Sequence, residues 1–149
     1  MTSRVMYILW DSGWPRRAIT RDAALAIWSV THRIEAMKHN RSFEDYQKWL
    51  SEHQPKMILK VPREELLPIV EKHHTSKTFW CNPHFHMDRR EKPYPVLTAA
   101  VFNPILYSRT PRFIKDLIKM NLEENSVEDE VYISTWKANF HGPESPKQD

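Results

Sequence analysis

The chain changes its hydrophobic period within its first forty residues. From Arg4 to Trp10 it reads RVMYILW, an unbroken apolar run of strand formers closed by the turn-like Asp11-Ser12-Gly13-Trp14-Pro15. From residue 19 onward apolar residues return at three- and four-residue steps: Ile19, Ala23, Ala26, Ile27, Val30, Ile34 and Met37. The first pattern predicts a strand inside a sheet, and the second predicts a helix with one apolar face. A chain that opens this way is committed to helices layered on a sheet. Its 149 residues suit one such domain, which buries roughly 68–70% of the surface its unfolded chain exposes.

The remaining elements follow from the same patterns. Thr20 or Asp22 is expected to cap the first helix, which runs to about His39. Ser42-Phe43-Glu44-Asp45 reads as a capping box for a second helix carrying Phe43, Tyr46, Trp49 and Leu50, stopped by His53-Gln54-Pro55. KMILKV at 56–61 predicts a second strand, and Pro62, Glu64 and Glu65 open a third helix with Leu66, Leu67, Ile69 and Val70. Pro68 within it predicts a kink or a later start. KTFWC at 77–81 and VLTAAVF at 96–102 read as strands three and four, with NPHFHMDRREKPYP between them as a loop. Thr110-Pro111 opens a last helix carrying Phe113, Ile114, Leu117, Ile118 and Leu122, VYIST at 131–135 adds an edge strand, and the tail 141–149 is expected to be disordered.

The order β-α-α-β-α-β-β-α predicts an α/β three-layer sandwich: a four-stranded mixed sheet covered by helices on both faces, in a single domain over 1–140. Ile27, Val30, Ile34, Ile58, Leu67, Val70, Leu97, Ala99, Val101 and Leu117 are expected in the core, together with Trp28, Trp49 and Trp80. Trp10 and Trp14 flank a turn near arginines, where they either stack on bases or cover the end of the sheet.

Composition excludes several classes. The sole cysteine, Cys81, has no intrachain partner, and the start MTSRVMYILWDSGWPRR lacks the order of segments that secretion requires, so a reducing, cytoplasmic setting is expected. No apolar stretch approaches the roughly 20 residues of a membrane-spanning helix. Net charge is only +3, but residues 1–41 hold seven basic side chains against Asp11, Asp22 and Glu35, whereas 123–130 reads EENSVEDE. That asymmetry fits an anionic partner at one face as well as an ordinary solvated surface.

Cys81, His84, His86 and Asp88 lie within eight residues, with His73 and His74 nearby. The spacing lacks the paired patterns of zinc sites and includes Pro83, so neither a metal nor another cofactor is expected. Cys81 also has the alternatives of a nucleophile with His84 or His86 as base and a buried strand-end residue, the second being the commoner fate of a free cysteine.

With these elements in order, the chain resembles the type II peptidyl-tRNA hydrolase family in its divergent eukaryotic form. The similarity is strongest over YQKWLSEHQPKMILKVPREELLPIVEK at 46–72 and continues through VLTAAVFNPILYSRTPRFIKDL at 96–117, covering roughly residues 4–122. The resemblance implies hydrolysis of the ester joining a peptide to tRNA, without metal or nucleotide. The family's Gly-Lys-hydrophobic-Ala-Ala-Gln stretch is matched by Arg21-Asp22-Ala23-Ala24-Leu25-Ala26, so its lysine position reads Asp22 and its glutamine position reads Ala26. His32 lies three places beyond the family's histidine, and Asp88 stands as the counterpart of its catalytic aspartate. Arg16, Arg17, Arg21, Arg89 and Arg90 are the expected RNA contacts. Two readings follow: a divergent hydrolase, favoured by the resemblance, and a hydrolase-fold module that binds RNA or a partner protein, favoured by the missing lysine and glutamine.

Overall fold

The computed structural model describes residues 3–15, 18–37, 40–88 and 92–123. Its elements are β1 (Arg4–Asp11), α1 (Ile19–Glu35), α2 (Arg41–Ser51), β2 (Lys56–Val61), α3 (Arg63–His73), β3 (Cys81–Asp88), β4 (Lys92–Phe102), β5 (Ile105–Leu106) and α4 (Arg112–Glu123). The sheet runs in the order β2-β1-β4-β3, with the short β5 pairing β1 off that path. β1 lies parallel to β2 and antiparallel to β4, and β3 is antiparallel to β4, so the sheet is mixed.

The central strand dictates the layers. Successive strand side chains point to opposite faces. Met6, Ile8 and Trp10 therefore pack with Ala23, Ala26, Val30 and Ile34 of α1 and Tyr46 and Trp49 of α2. Val5, Tyr7 and Leu9 pack on the other side with Leu66 and Val70 of α3 and Ile114 and Leu117 of α4. The result is the three-layer α/β sandwich that the sequence predicts, and no helix among the described residues is long and apolar enough to cross a membrane.

Several local expectations are corrected. Ala18 precedes α1 with no side-chain cap, so neither Thr20 nor Asp22 serves, and the helix ends at Glu35 rather than near His39. Asn40 caps α2 instead of the Ser42 box, its side-chain oxygen accepting the Ser42 amide at 2.9 Å, while the Ser42 hydroxyl is taken up by the Trp80 indole at 3.0 Å. α3 starts at Arg63 and continues through exposed Pro68, whose missing amide hydrogen leaves the Glu64 carbonyl without its helical donor. In that register Leu66 and Val70 face inward and Leu67 is 49% exposed.

The segment read as a loop between strands three and four is a hairpin. β3 begins at Cys81, where the third strand was expected to end, and pairs from Cys81↔Phe102 to Asp88↔Lys92 with irregularities after His84 and His86. Pro83 masks it in the sequence, yet proline is tolerated on an edge strand, and β3 is an edge. Trp28 is the other departure, at 66% exposure. It lies nine residues, about two and a half turns, beyond buried Ile19 and so on the opposite face of α1. Trp10 belongs to the core rather than to a surface that stacks on bases. Apart from exposed Leu67 and Trp28, Ile27 and Leu97 are partly buried and the other expected core residues are buried. The VYIST segment and the tail lie outside the described residues.

Buried polar side chains tie the layers together. The Trp80 amide donates to Asn103 Oδ1 at 2.8 Å, and the Arg33 guanidinium of α1 lies 3.9 Å above the Trp80 ring. Arg33 also donates to the Cys81 and His74 carbonyls, holding α1 against the start of β3 and the end of α3. At the opposite edge, Asn121 of α4 accepts the Lys60 amide at 2.8 Å and donates to the Lys60 carbonyl at 3.1 Å.

Cys81 is fully buried, and that burial pushes its pKa up to about 12 against the smaller pull of Arg33. It is therefore a protonated, packed thiol at neutral pH, not a nucleophile. Native protein is expected to stay unreactive toward Ellman's reagent, releasing one equivalent of colour only after denaturant is added. Rapid reaction of the native protein would overturn this reading.

Candidate functional site

A carboxylate occupies a core position of α1. Ile19, Asp22, Ala23 and Ala26 form the first part of the helix's buried face, and Asp22 is 2% exposed. Neither Asp22 oxygen meets a donor in full hydrogen-bond geometry among the described residues. Burying an ionised carboxylate costs several kcal/mol unless neighbours offset it, so its surroundings call for explanation.

Three nitrogen-bearing side chains converge on it. His84 Nε2 lies 3.3 Å from Asp22 Oδ1, His86 Nδ1 3.7 Å and Arg21 Nε 3.7 Å. The local structure makes this possible in a simple way. Alternate residues of β3 present His84 and His86 toward α1, while Phe85 between them is 48% exposed. The first turn of α1 supplies Arg21 and Asp22, where the helix dipole favours negative charge. The β1–α1 turn adds Trp14, whose ring centre is 4.9 Å from that of His86. The Trp14 indole N–H is likewise buried without a partner among the described residues.

That turn is held firmly. Asp11, fully buried at the end of β1, accepts the Gly13 amide at 2.7 Å and pairs with Arg63 Nε at 2.6 Å. A Cβ at Gly13 would sit 3.3 Å from Asp11 Oδ1 and 3.4 Å from Arg63 Nη2, so the turn leaves little room there for a side chain.

Arg21 Nη2 lies 2.8 Å from His86 Nδ1, and a guanidinium only donates, so in this contact His86 Nδ1 is the acceptor. Burial pushes the His84 pKa below 6.5; Asp22 opposes this, while His86 and Arg21 add to it. His84 is therefore neutral at physiological pH. With its Nε2 toward a carboxylate, the favoured tautomer carries the proton there and the lone pair on Nδ1. A neutral imidazole oriented by a buried carboxylate, beside a 63% exposed arginine, is an arrangement suited to proton transfer next to an anionic group.

Of the residues singled out in the sequence, Arg21 joins this cluster. Arg16, Arg17, Arg89 and Arg90 lie outside the described residues, and the backbone of Asp88 closes β3 opposite Lys92. Among the described residues no set of His, Cys, Asp or Glu side chains is arranged to hold a metal ion. Arg21 occupies the His86 nitrogen that faces Asp22. A small cleft elsewhere, between Arg41, Phe79, Ile105 and Arg109, shares no residue with the cluster, and the carboxylate lining it, Asp45, is already engaged by Arg4 at 3.0 Å. Asp22 and the side chains around it are therefore the candidate site.

Sequence reasoning noted His84 and His86, and named Asp22 only as a helix cap and as the residue at the family's lysine position, not as the group the histidines face. The signal was present: a charged residue in phase with Ile19, Ala23 and Ala26 on an apolar helix face. No protein-family model matches the chain, and no curated protein is similar to it.

Proposed function

We propose that this chain is a divergent, cytoplasmic peptidyl-tRNA hydrolase-like protein that cleaves the ester between a peptide and tRNA. The observation that carries the reading is the buried Asp22 carboxylate set against a neutral His84 at the basic start of α1. In this reading His84 Nδ1 takes a proton from the water that attacks the ester carbonyl, and Asp22 stabilises the imidazolium so formed. The proton then passes to the ribose oxygen as it leaves. Arg21 supplies positive charge to the tetrahedral oxyanion or a neighbouring phosphate. Arg16, Arg17, Arg89 and Arg90 add phosphate contacts, and Asp88 supplies a further carboxylate, so neither metal nor nucleotide enters the scheme.

The second reading, a module that keeps the fold and binds RNA or a protein without chemistry, is favoured by Asp22 and Ala26 at the family's lysine and glutamine positions. Incubation with N-acetylaminoacyl-tRNA, alongside tRNA binding at several salt concentrations, separates the two. The expected result is ester hydrolysis. Arg16→Ala with Arg17→Ala should weaken binding and flatten the dependence of log affinity on log salt by roughly 0.7 to 0.9 per lost contact. Asp88→Asn is expected to leave affinity nearly unchanged, and abolishes hydrolysis if Asp88 rather than Asp22 is the working carboxylate. Binding without turnover selects the module, and no binding even at low salt removes RNA from both readings.

A further inference from the structure

The outer face of α1 carries a stripe that packing does not explain. Arg21, Leu25, Trp28 and His32 recur at four-, three- and four-residue steps, which places them on one side of the helix. Arg21 is 63% exposed, Leu25 49% and Trp28 66%. Exposed tryptophan is an expensive residue to leave in water, and here it is also ordered: Trp28 and His32 stack with ring centres 5.2 Å apart and planes 15° from parallel. From Ala18 to Ile34 the sole carboxylate is Asp22, which is turned inward, so the outer face bears positive but no negative charge. Glu35, beyond that stretch, lies within 3.4 Å of the Tyr46 hydroxyl. The stripe is also continuous with the candidate site, because Arg21 belongs to both.

We infer that Trp28, backed by His32, is a stacking platform for an unpaired nucleotide of the RNA whose ester is presented to Asp22 and His84. The inference rests on the RNA reading above and adds a binding subsite to it. Aromatic side chains hold unpaired bases by their π-faces without reading sequence, and nearby cations track the phosphates. Trp28 lies seven residues beyond Arg21, about 10 Å along the axis, so a strand anchored at Arg21 reaches Trp28 within a few nucleotides. Duplex RNA keeps its bases stacked inside and gains nothing from the platform.

Anisotropy measurements with a fluorescent single-stranded oligoribonucleotide and with a blunt duplex of the same length test the inference. Trp28→Ala is expected to weaken single-strand binding by roughly 5- to 150-fold, leave the salt slope unchanged, and leave duplex binding as it was. Trp28→Phe should recover most of the loss, and both variants should melt within a few degrees of wild type because the side chain is exposed. If wild type binds the single strand and Trp28→Ala binds it equally well, the platform is wrong and the RNA reading survives. If wild type binds neither RNA at low salt, both fall. If wild type instead dimerises in sedimentation and Trp28→Ala is monomeric without a change in RNA affinity, the stripe is an interface between copies and the inference is overturned.

Discussion

Asp22→Asn is expected to lower kcat for peptidyl-tRNA hydrolysis by about 10²- to 10⁴-fold, the range seen when the group orienting a catalytic imidazole or the imidazole itself is lost. Affinity for tRNA should change little, because Asp22 is 2% exposed and makes no phosphate contact in the scheme. Asparagine keeps the size and shape of the side chain in the same buried position, so the variant is expected to fold like wild type. Lost activity in a fully folded protein separates this role from a structural one. The pH profile gives a second readout. His84 must be neutral to act as a base, and its pKa lies below 6.5, so kcat/KM should be flat from neutral pH upward and fall as pH drops through that pKa. Asp22 pulls the His84 pKa upward, so its loss should move the acid limb to still lower pH. Turnover of Asp22→Asn at the wild-type rate would remove the Asp22–His84 pair from the mechanism and leave Asp88 as the carboxylate to test.

Trp80→Ala should cost about 3–5 kcal/mol, the usual toll for deleting a large buried aromatic. Trp80 is 1% exposed, and three separate segments converge on it: its indole N–H reaches Ser42 of α2, its amide reaches Asn103 after β4, and Arg33 of α1 covers its ring. Truncation therefore opens a cavity and strips the Ser42 hydroxyl and the Arg33 guanidinium of a shared neighbour. Against a total stability of about 5–15 kcal/mol, the loss should lower the melting temperature by more than about 10 °C. Trp28→Ala removes the same side chain from the opposite situation and is expected within about 0.5 kcal/mol of wild type. Urea melts of the pair measure the contrast. A Trp80→Ala cost under about 1 kcal/mol would mean that the three segments are held by other contacts.

What was legible in the sequence was whatever depended on period. RVMYILW announced a strand covered on both faces, and the α2 and α4 apolar faces predicted helices that the structure contains. Phase was read less well than period: Trp28 is apolar, yet it falls half a turn away from Ile19, Ala23 and Ala26, and only counting turns reveals it. β3 was hidden because Pro83 and two histidines resemble a loop by composition, whereas its strand character comes from pairing with β4. The candidate site was hidden for a related reason. Asp22 and His84 are far apart in the chain, and a helix turn meeting an edge strand is a tertiary fact that no local spacing encodes.

The two outer strands of the sheet also bear on behaviour at high concentration. Open strand edges present unpaired amides and carbonyls that invite another chain to add itself, the first step toward aggregates. β2 meets this hazard with the carboxamide of Asn121, which binds both backbone groups of Lys60 much as a neighbouring strand would. β3, the opposite edge, carries Pro83, a residue that sheets tolerate at their edges and that has no amide to donate. Asparagine on a helix and proline in a strand are poor choices for either element in isolation. Here they keep a mixed sheet from growing beyond its own chain.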